Sequence, residues 1–227
     1  MNNKTVILKA LSKVRKHFHG PVTRKDGSLV PMAIDTRPLL WYPKPFRDVS
    51  RVLAAKVRPL RPDAIAGGLT GGAIWASAVA IILGKPFIML RKKSRGYSID
   101  YGCIEGVVKP GLRVVLIDDG FVSGAMLSAF SKMLIKVKAK ILACTVIILV
   151  IPQNAKKWIK KHRLPIRHLI TYPEIIDGFY KRGYIDKELH LLISAFINNP
   201  SGWQKNKELY KLFYDRLKQS KHWRVIK

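Results

Sequence analysis

Val114-Val115-Leu116-Ile117-Asp118-Asp119-Gly120-Phe121-Val122-Ser123-Gly124-Ala125-Met126 is the stretch on which the reading of this chain turns. The apolar run from Leu112 to Ile117 is rich in β-branched residues, as a buried central strand requires. It delivers two carboxylates to its carboxyl end. A turn with Ser123 and Gly124 follows, and Ser123 to about Val137 reads as a helix. The first backbone N–H groups of a helix lack intrahelical partners and sit at the positive end of its dipole, so this junction suits a phosphate. The two acids can bind the vicinal hydroxyls of a ribose. Taken alone, the pair also fits a solvated strand end or a divalent-metal site.

Outward from this stretch the rhythm is strand, loop, helix. Ala64 to Gly67 is a short strand that breaks into Gly67-Gly68-Leu69-Thr70-Gly71-Gly72, and an Ala- and Ile-rich helix runs to about Leu83. Pro86 to Leu90 and Ile141 to Ile151 read as further strands. Such alternation predicts an α/β fold, a mostly parallel twisted sheet flanked by helices, with ligands at the carboxyl ends of the strands. Ile7, Leu11, Val14 and Phe18 recur at helical spacing, and a short strand near Leu29 to Ile34 follows a turn. Pro43 and Pro45 open a helix whose inner face is Phe46, Val49, Val52, Leu53 and Val57. After Ile151 only helices are predicted, over Gln153–His162, Pro173–Lys181 and Asp186–Ile197. The organisation expected is an N-terminal helix and hood over residues 1–40, an α/β domain over 41–198, and a basic extension over 199–227. In that extension Leu209, Leu212, Phe213 and Leu217 share one helical face, which suits packing or docking on an anionic surface.

Composition narrows the classes. At 227 residues and 48% apolar content the chain can bury a core. Its longest apolar run, Ile141 to Ile151, falls short of the roughly 20 residues that span a bilayer. The charged N-terminus, with Lys4, Lys9 and Lys13, lacks the apolar core of a secretory signal. Cys103 and Cys144 form neither a metal-ligand spacing nor a disulfide framework, and the cytoplasm is the expected compartment. Forty-two Lys and Arg against fourteen Asp and Glu leave a net charge of +28. No acid stands between Asp119 and Glu174, while ten Lys and Arg fall between Lys132 and Arg167. Such a surface favours polyanions, nucleic acid among them, or is simply a solvated face.

Four segments in order resemble the type I phosphoribosyltransferases, orotate phosphoribosyltransferase above all. Val114 to Met126 is similar to the loop that binds phosphoribosyl diphosphate, and Gly68-Leu69-Thr70-Gly71-Gly72 to the loop that holds pyrophosphate. Arg91-Lys92-Lys93-Ser94-Arg95-Gly96-Tyr97, leading to Ile104-Glu105-Gly106, resembles the mobile catalytic loop. Lys25-Asp26-Gly27 with Pro31 and Ile34-Asp35-Thr36-Arg37 resembles the N-terminal hood. The resemblance implies that Asp118 and Asp119 bind the ribose hydroxyls, and that Gly120, Phe121, Val122, Ser123, Gly124, Ala125 and Met126 cradle the 5′-phosphate. Thr70 and Gly71 would contact pyrophosphate; Arg91, Lys92 and Arg95 would neutralise it as it leaves, beside Tyr97. Lys25, Ala33, Ile34 and Val122 would face the base. The implied reaction makes orotidine 5′-phosphate or a related nucleotide, with Mg²⁺ held through the substrate rather than by the protein, in a homodimer.

Three departures from that pattern stand out. Val122 and Ala125 replace family threonines, and each lost hydroxyl is worth about 1 kcal/mol of phosphate binding. Gly120 replaces a β-branched residue, and Pro152-Gln153-Asn154 stands where the family places an arginine that grips the orotate carboxylate. A non-catalytic protein that keeps the fold and binds nucleic acid or an acidic partner is the alternative these departures raise.

Overall fold

The computed structural model describes residues 2–23, 29–93 and 103–219. Contacts divide the chain into two units, Met1–Ile7 with Tyr42–Thr171, and Leu8–Trp41 with Tyr172–Lys227. This grouping differs from a division at residues 40 and 198: the helices after residue 171 join the hood segment.

The first unit is the predicted α/β sheet. Its strands are β3 (Ala64–Gly68), β4 (Phe87–Leu90), β5 (Ile104–Glu105), β6 (Arg113–Phe121), β7 (Lys140–Leu149) and β8 (Ile166–Thr171), and β1 and β2 belong to the second unit. Their order is β5-β4-β3-β6-β7-β8, with only β5 antiparallel to its neighbour. Gly67 of β3 pairs with Ile117 of β6, and Val115 and Ile117 of β6 pair with Ala143 and Thr145 of β7. Successive strand residues face opposite sides. Val114 and Leu116 pack with Phe130 and Leu134 of α4 (Ala125–Lys136) and Trp158 of α5 (Pro152–His162) in one buried cluster. On the other side lie α2 (Pro43–Val57) and α3 (Gly71–Leu83), whose Phe46 and Trp75 rings approach to 4.8 Å. Among the described residues no helix is long and apolar enough to cross a membrane.

Two features of the sheet escape the sequence. Strand β6 was expected to end at Asp118-Asp119, yet it runs on to Phe121. Acids and glycine are poor strand formers, but Gly120 pairs with Ile148 and Phe121 with Leu149, so β7 holds the extension in register. Strand β8 stands where no strand was expected. It is an edge strand with Arg167 and His168 in its first half, and its mixed polarity hides it.

In the second unit α1 (Asn3–Lys13), which begins in the first, leads to a hairpin of β1 (Val22–Thr23) and β2 (Leu29–Val30). Helices α6 (Tyr172–Tyr180), α7 (Lys187–Asn198) and α8 (Lys207–Gln219) complete it. Phe18 stacks on Phe179 at 5.8 Å, and the Tyr172 hydroxyl donates to the Met32 carbonyl. Phe213 and Leu217 of α8 are buried, and Arg216 donates to Asp186 at 2.6 Å and to Glu188 at 3.0 Å. The apolar face of the tail is therefore a packing face.

Candidate active site

Because β6 outruns β3, Asp118 to Phe121 are left without a strand partner on that side, and the glycine loop after β3 closes against them. A Cβ on Gly72 would come within 2.6 Å of the Ile117 carbonyl and 3.0 Å of Asp118 Oδ1, and one on Gly71 would collide with the Asp119 carboxylate. Gly68 lies against the Phe130 ring, with no room for a side chain. Thus Gly71 and Gly72 are dictated by close backbone approach to the acid pair, Gly68 by the Phe130 ring and Gly67 by Ala76 and the Gly72 backbone. The Leu69–Thr70 peptide is cis.

These loops enclose a cleft of about 330 Å³. Thr70, Gly71, Lys92, Asp118, Asp119 and every residue from Gly120 to Met126 line it, so most of the site residues implied by the sequence meet in one place. Leu69, Leu127 and Phe130 line it as well. The amino ends of α3 and α4 both open on the cleft, each with unpaired N–H groups and the positive end of a helix dipole. Gly124, at φ +78°, makes the left-handed turn into α4, and the Ser123 hydroxyl accepts the Ala125 N–H at 3.4 Å.

Asp118 accepts the Asp119 backbone N–H at 3.0 Å. Burial, reinforced by the negative charge of Asp119, pushes its carboxyl up to about 8. The shift favours a proton on the pair, and in that form Asp118 can donate to a diol while Asp119 accepts from it.

The loop is braced from α5. The Asn154 side-chain amide donates to the Val122 carbonyl at 3.0 Å. The Trp158 indole lies against Gly124 and donates to the Ser128 hydroxyl at 2.7 Å, while its ring stacks on His162 at 4.4 Å. Nothing local in the sequence marks Asn154 or Trp158 as partners of this loop. Arg91 is placed differently from Lys92. Its guanidinium pairs with Glu105 and its backbone N–H donates to the Cys103 carbonyl at 2.8 Å, so it is tied to residues 103–105 rather than turned to the cleft. Ala33 and Ile34 lie in the second unit, where His19 donates to the Ala33 carbonyl at 3.0 Å. Lys25, Arg95 and Tyr97 lie outside the described residues.

A parallel sheet whose central strand ends in paired acids, with one glycine loop and one helix-start loop closing on them, defines the class of type I phosphoribosyltransferases. No family model matches the chain. It is 30% identical over 192 residues to orotate phosphoribosyltransferase of Cereibacter sphaeroides, covering 81% of each chain. It is 30% identical over 188 residues to that of Lactiplantibacillus plantarum, covering 81% of this chain and 87% of the relative. Among solved structures it is similar to UMP synthase of Leishmania donovani, with a TM-score of 0.75 and 26% identity. That match covers 85% of this chain but only 41% of the longer one. Orotate phosphoribosyltransferase of Aeropyrum pernix shares the fold, with a TM-score of 0.63 at 23% identity over 76% of this chain and 98% of that one. The chain belongs to the orotate phosphoribosyltransferase family.

Proposed function

We propose that this chain transfers the phosphoribosyl group of phosphoribosyl diphosphate to orotate, giving orotidine 5′-phosphate and pyrophosphate, a step of pyrimidine nucleotide biosynthesis. The observation that carries the reading is the meeting of Thr70 and Gly71 with Asp118 to Met126 around one cleft. In this arrangement α4 holds the 5′-phosphate by backbone N–H groups, and Asp118 and Asp119 hold the ribose hydroxyls. Diphosphate lies at the start of α3, with Lys92 over it. The base nitrogen forms a bond to the anomeric carbon as the bond to diphosphate breaks; the electron pair leaves with diphosphate, and the proton on the base nitrogen passes to diphosphate or solvent. Charge grows on the leaving group, so fixed N–H dipoles and Lys92 stabilise the transition state more than the ground state. Arg91, paired with Glu105, sets where the loop that carries Lys92 departs.

Mg²⁺, when bound, neutralises diphosphate charge. The donor set fits an ion carried on phosphate oxygens, because among the described residues no third His, Cys, Asp or Glu joins Asp118 and Asp119 at the cleft to complete a protein cage. The chain acts in the cytoplasm, in keeping with its free cysteines Cys103 and Cys144. It acts as a homodimer, for which adjoining exposed Leu40 and Trp41, the latter 84% exposed, supply apolar surface.

Calorimetric titration of phosphoribosyl diphosphate with Mg²⁺ tests the site. Wild type binds, and Asp118→Asn/Asp119→Asn loses at least tenfold in affinity. Equal binding by both would remove the acid pair from the account.

A further inference from the structure

Part of the charge that the cleft does not use gathers at the opposite end of the sheet. Each parallel strand starts there beside an exposed cation. Arg61 precedes β3, Lys85 precedes β4, Arg113 heads β6, Lys138 and Lys140 flank the start of β7, and Arg163 precedes β8. The acid at this end, Asp63, already accepts the Arg113 backbone N–H at 2.9 Å. The other described acids between residues 58 and 171 are Glu105, Asp118 and Asp119, at the carboxyl end of the sheet.

Register and backbone both argue against a passively solvated face. Arg113 and Lys140 are direct neighbours across β6 and β7, like charges whose juxtaposition opposes pairing. Arg61, Lys138 and Arg163 adopt φ of 49°, 60° and 53°, and they are the non-glycine residues with positive φ among the described residues. Each stands in a left-handed turn that leads into a strand, where glycine carries no steric penalty. Gly84 and Gly111 fill the corresponding turns before β4 and β6. A cation close to a helix C-terminus offsets the helix dipole, which favours Lys136, Lys160 and Lys161 in the last turns of α4 and α5. It does not account for Arg113 and Lys140, which head strands β6 and β7.

We propose that this end of the sheet binds the phosphate backbone of nucleic acid, independently of the transferase cleft. With Lys136, Lys160 and Lys161 this end holds six lysines beside three arginines, and lysine is depleted in protein–protein interfaces, where aromatic residues, Met and Arg are enriched. Lysine is a hydrated point charge suited to phosphates held without base readout. Binding is therefore sequence-tolerant and steeply dependent on salt.

The test is fluorescence anisotropy of a labelled single-stranded RNA with the full chain over a KCl series. The variant is Arg61→Gly/Lys138→Gly/Arg163→Gly, which removes charge while relaxing three left-handed residues, so loss of folding does not confound it. Its control, Lys9→Ala/Lys187→Ala/Lys211→Ala, removes the same charge from exposed positions elsewhere. The glycine variant loses about tenfold in affinity, and its salt slope falls by about 2, since each lost phosphate contact on a single strand contributes about 0.7. The control variant binds as wild type does, saturating pyrophosphate does not displace the RNA, and transferase turnover is unchanged. The proposal is overturned if wild type binds no RNA at physiological salt, or if both variants weaken alike. It is equally overturned if pyrophosphate displaces the RNA, which would place it in the cleft. Polyglutamate of matched charge binding as tightly as RNA would assign the face to an acidic protein instead.

Discussion

The side chain of Asn154 holds the backbone carbonyl of Val122 at 3.0 Å, tying the first turn of α5 to the loop that receives the 5′-phosphate. The sequence resemblance placed a cation of the family in this region to grip the orotate carboxylate. In this chain the neutral Asn154 is spent on the loop itself. Asn154→Ala removes one hydrogen bond of about 1 kcal/mol. The KM for phosphoribosyl diphosphate should rise about fivefold with kcat little changed, measured by initial rates at saturating base.

Gly124 turns the chain into α4 at φ +78°, and a Cβ there would lie 2.6 Å from the Phe121 ring and 2.7 Å from Trp158 Nε1. Gly124→Ala is expected to destabilise by about 2 kcal/mol and lower the Tm by about 4–8 °C. Differential scanning calorimetry checks the Tm, and loss of phosphoribosyl diphosphate affinity should accompany it.

Asp118 holds a proton in the native state from its ordinary 3.8 up to about 8, driven first by burial and then by the charge of Asp119. Over that window the unfolded chain binds fewer protons than the native one, so stability falls as pH rises. Asp118→Asn removes the titrating group. Its Tm should exceed that of wild type at pH 8, and the gap should close toward pH 4. A constant gap from pH 4 to pH 8 would show that Asp118 does not carry the shift.

Lys92 lines the cleft, whereas Arg91 is engaged by Glu105. Lys92→Ala should therefore lower kcat by about 10²-fold, as loss of a charge-stabilising group does. Glu105→Gln should act mainly on where the loop departs, raising KM several-fold while leaving inhibition by pyrophosphate intact. Steady-state kinetics with pyrophosphate as product inhibitor separates the two.

What could be read from the sequence was local. A β-branched run, two acids, a Ser-Gly turn and an amphipathic helix are contiguous, so Asp118 to Met126 declare the strand, the site and the helix together. The glycines of residues 67–72 announced a tight loop, but their reason, contact with Asp118, Asp119 and Phe130, needs a sheet already formed. Asn154 and Trp158 stand about thirty residues from the atoms they hold, and their side chains look ordinary on an amphipathic helix. Edge strand β8 lacked the continuous apolar signal of the central strands because it has one neighbour and an open side. The +28 charge is plain in the sequence, but the gathering of part of it at the amino ends of the strands depends on topology.

The most direct measurement is the loss of orotate absorbance when the purified chain is given phosphoribosyl diphosphate, Mg²⁺ and orotate, with uracil and purine bases in parallel. Orotate-dependent formation of orotidine 5′-phosphate and pyrophosphate is expected, abolished in Asp118→Asn/Asp119→Asn. Turnover of another base with none of orotate, or no turnover by a chain that binds phosphoribosyl diphosphate, would contradict it.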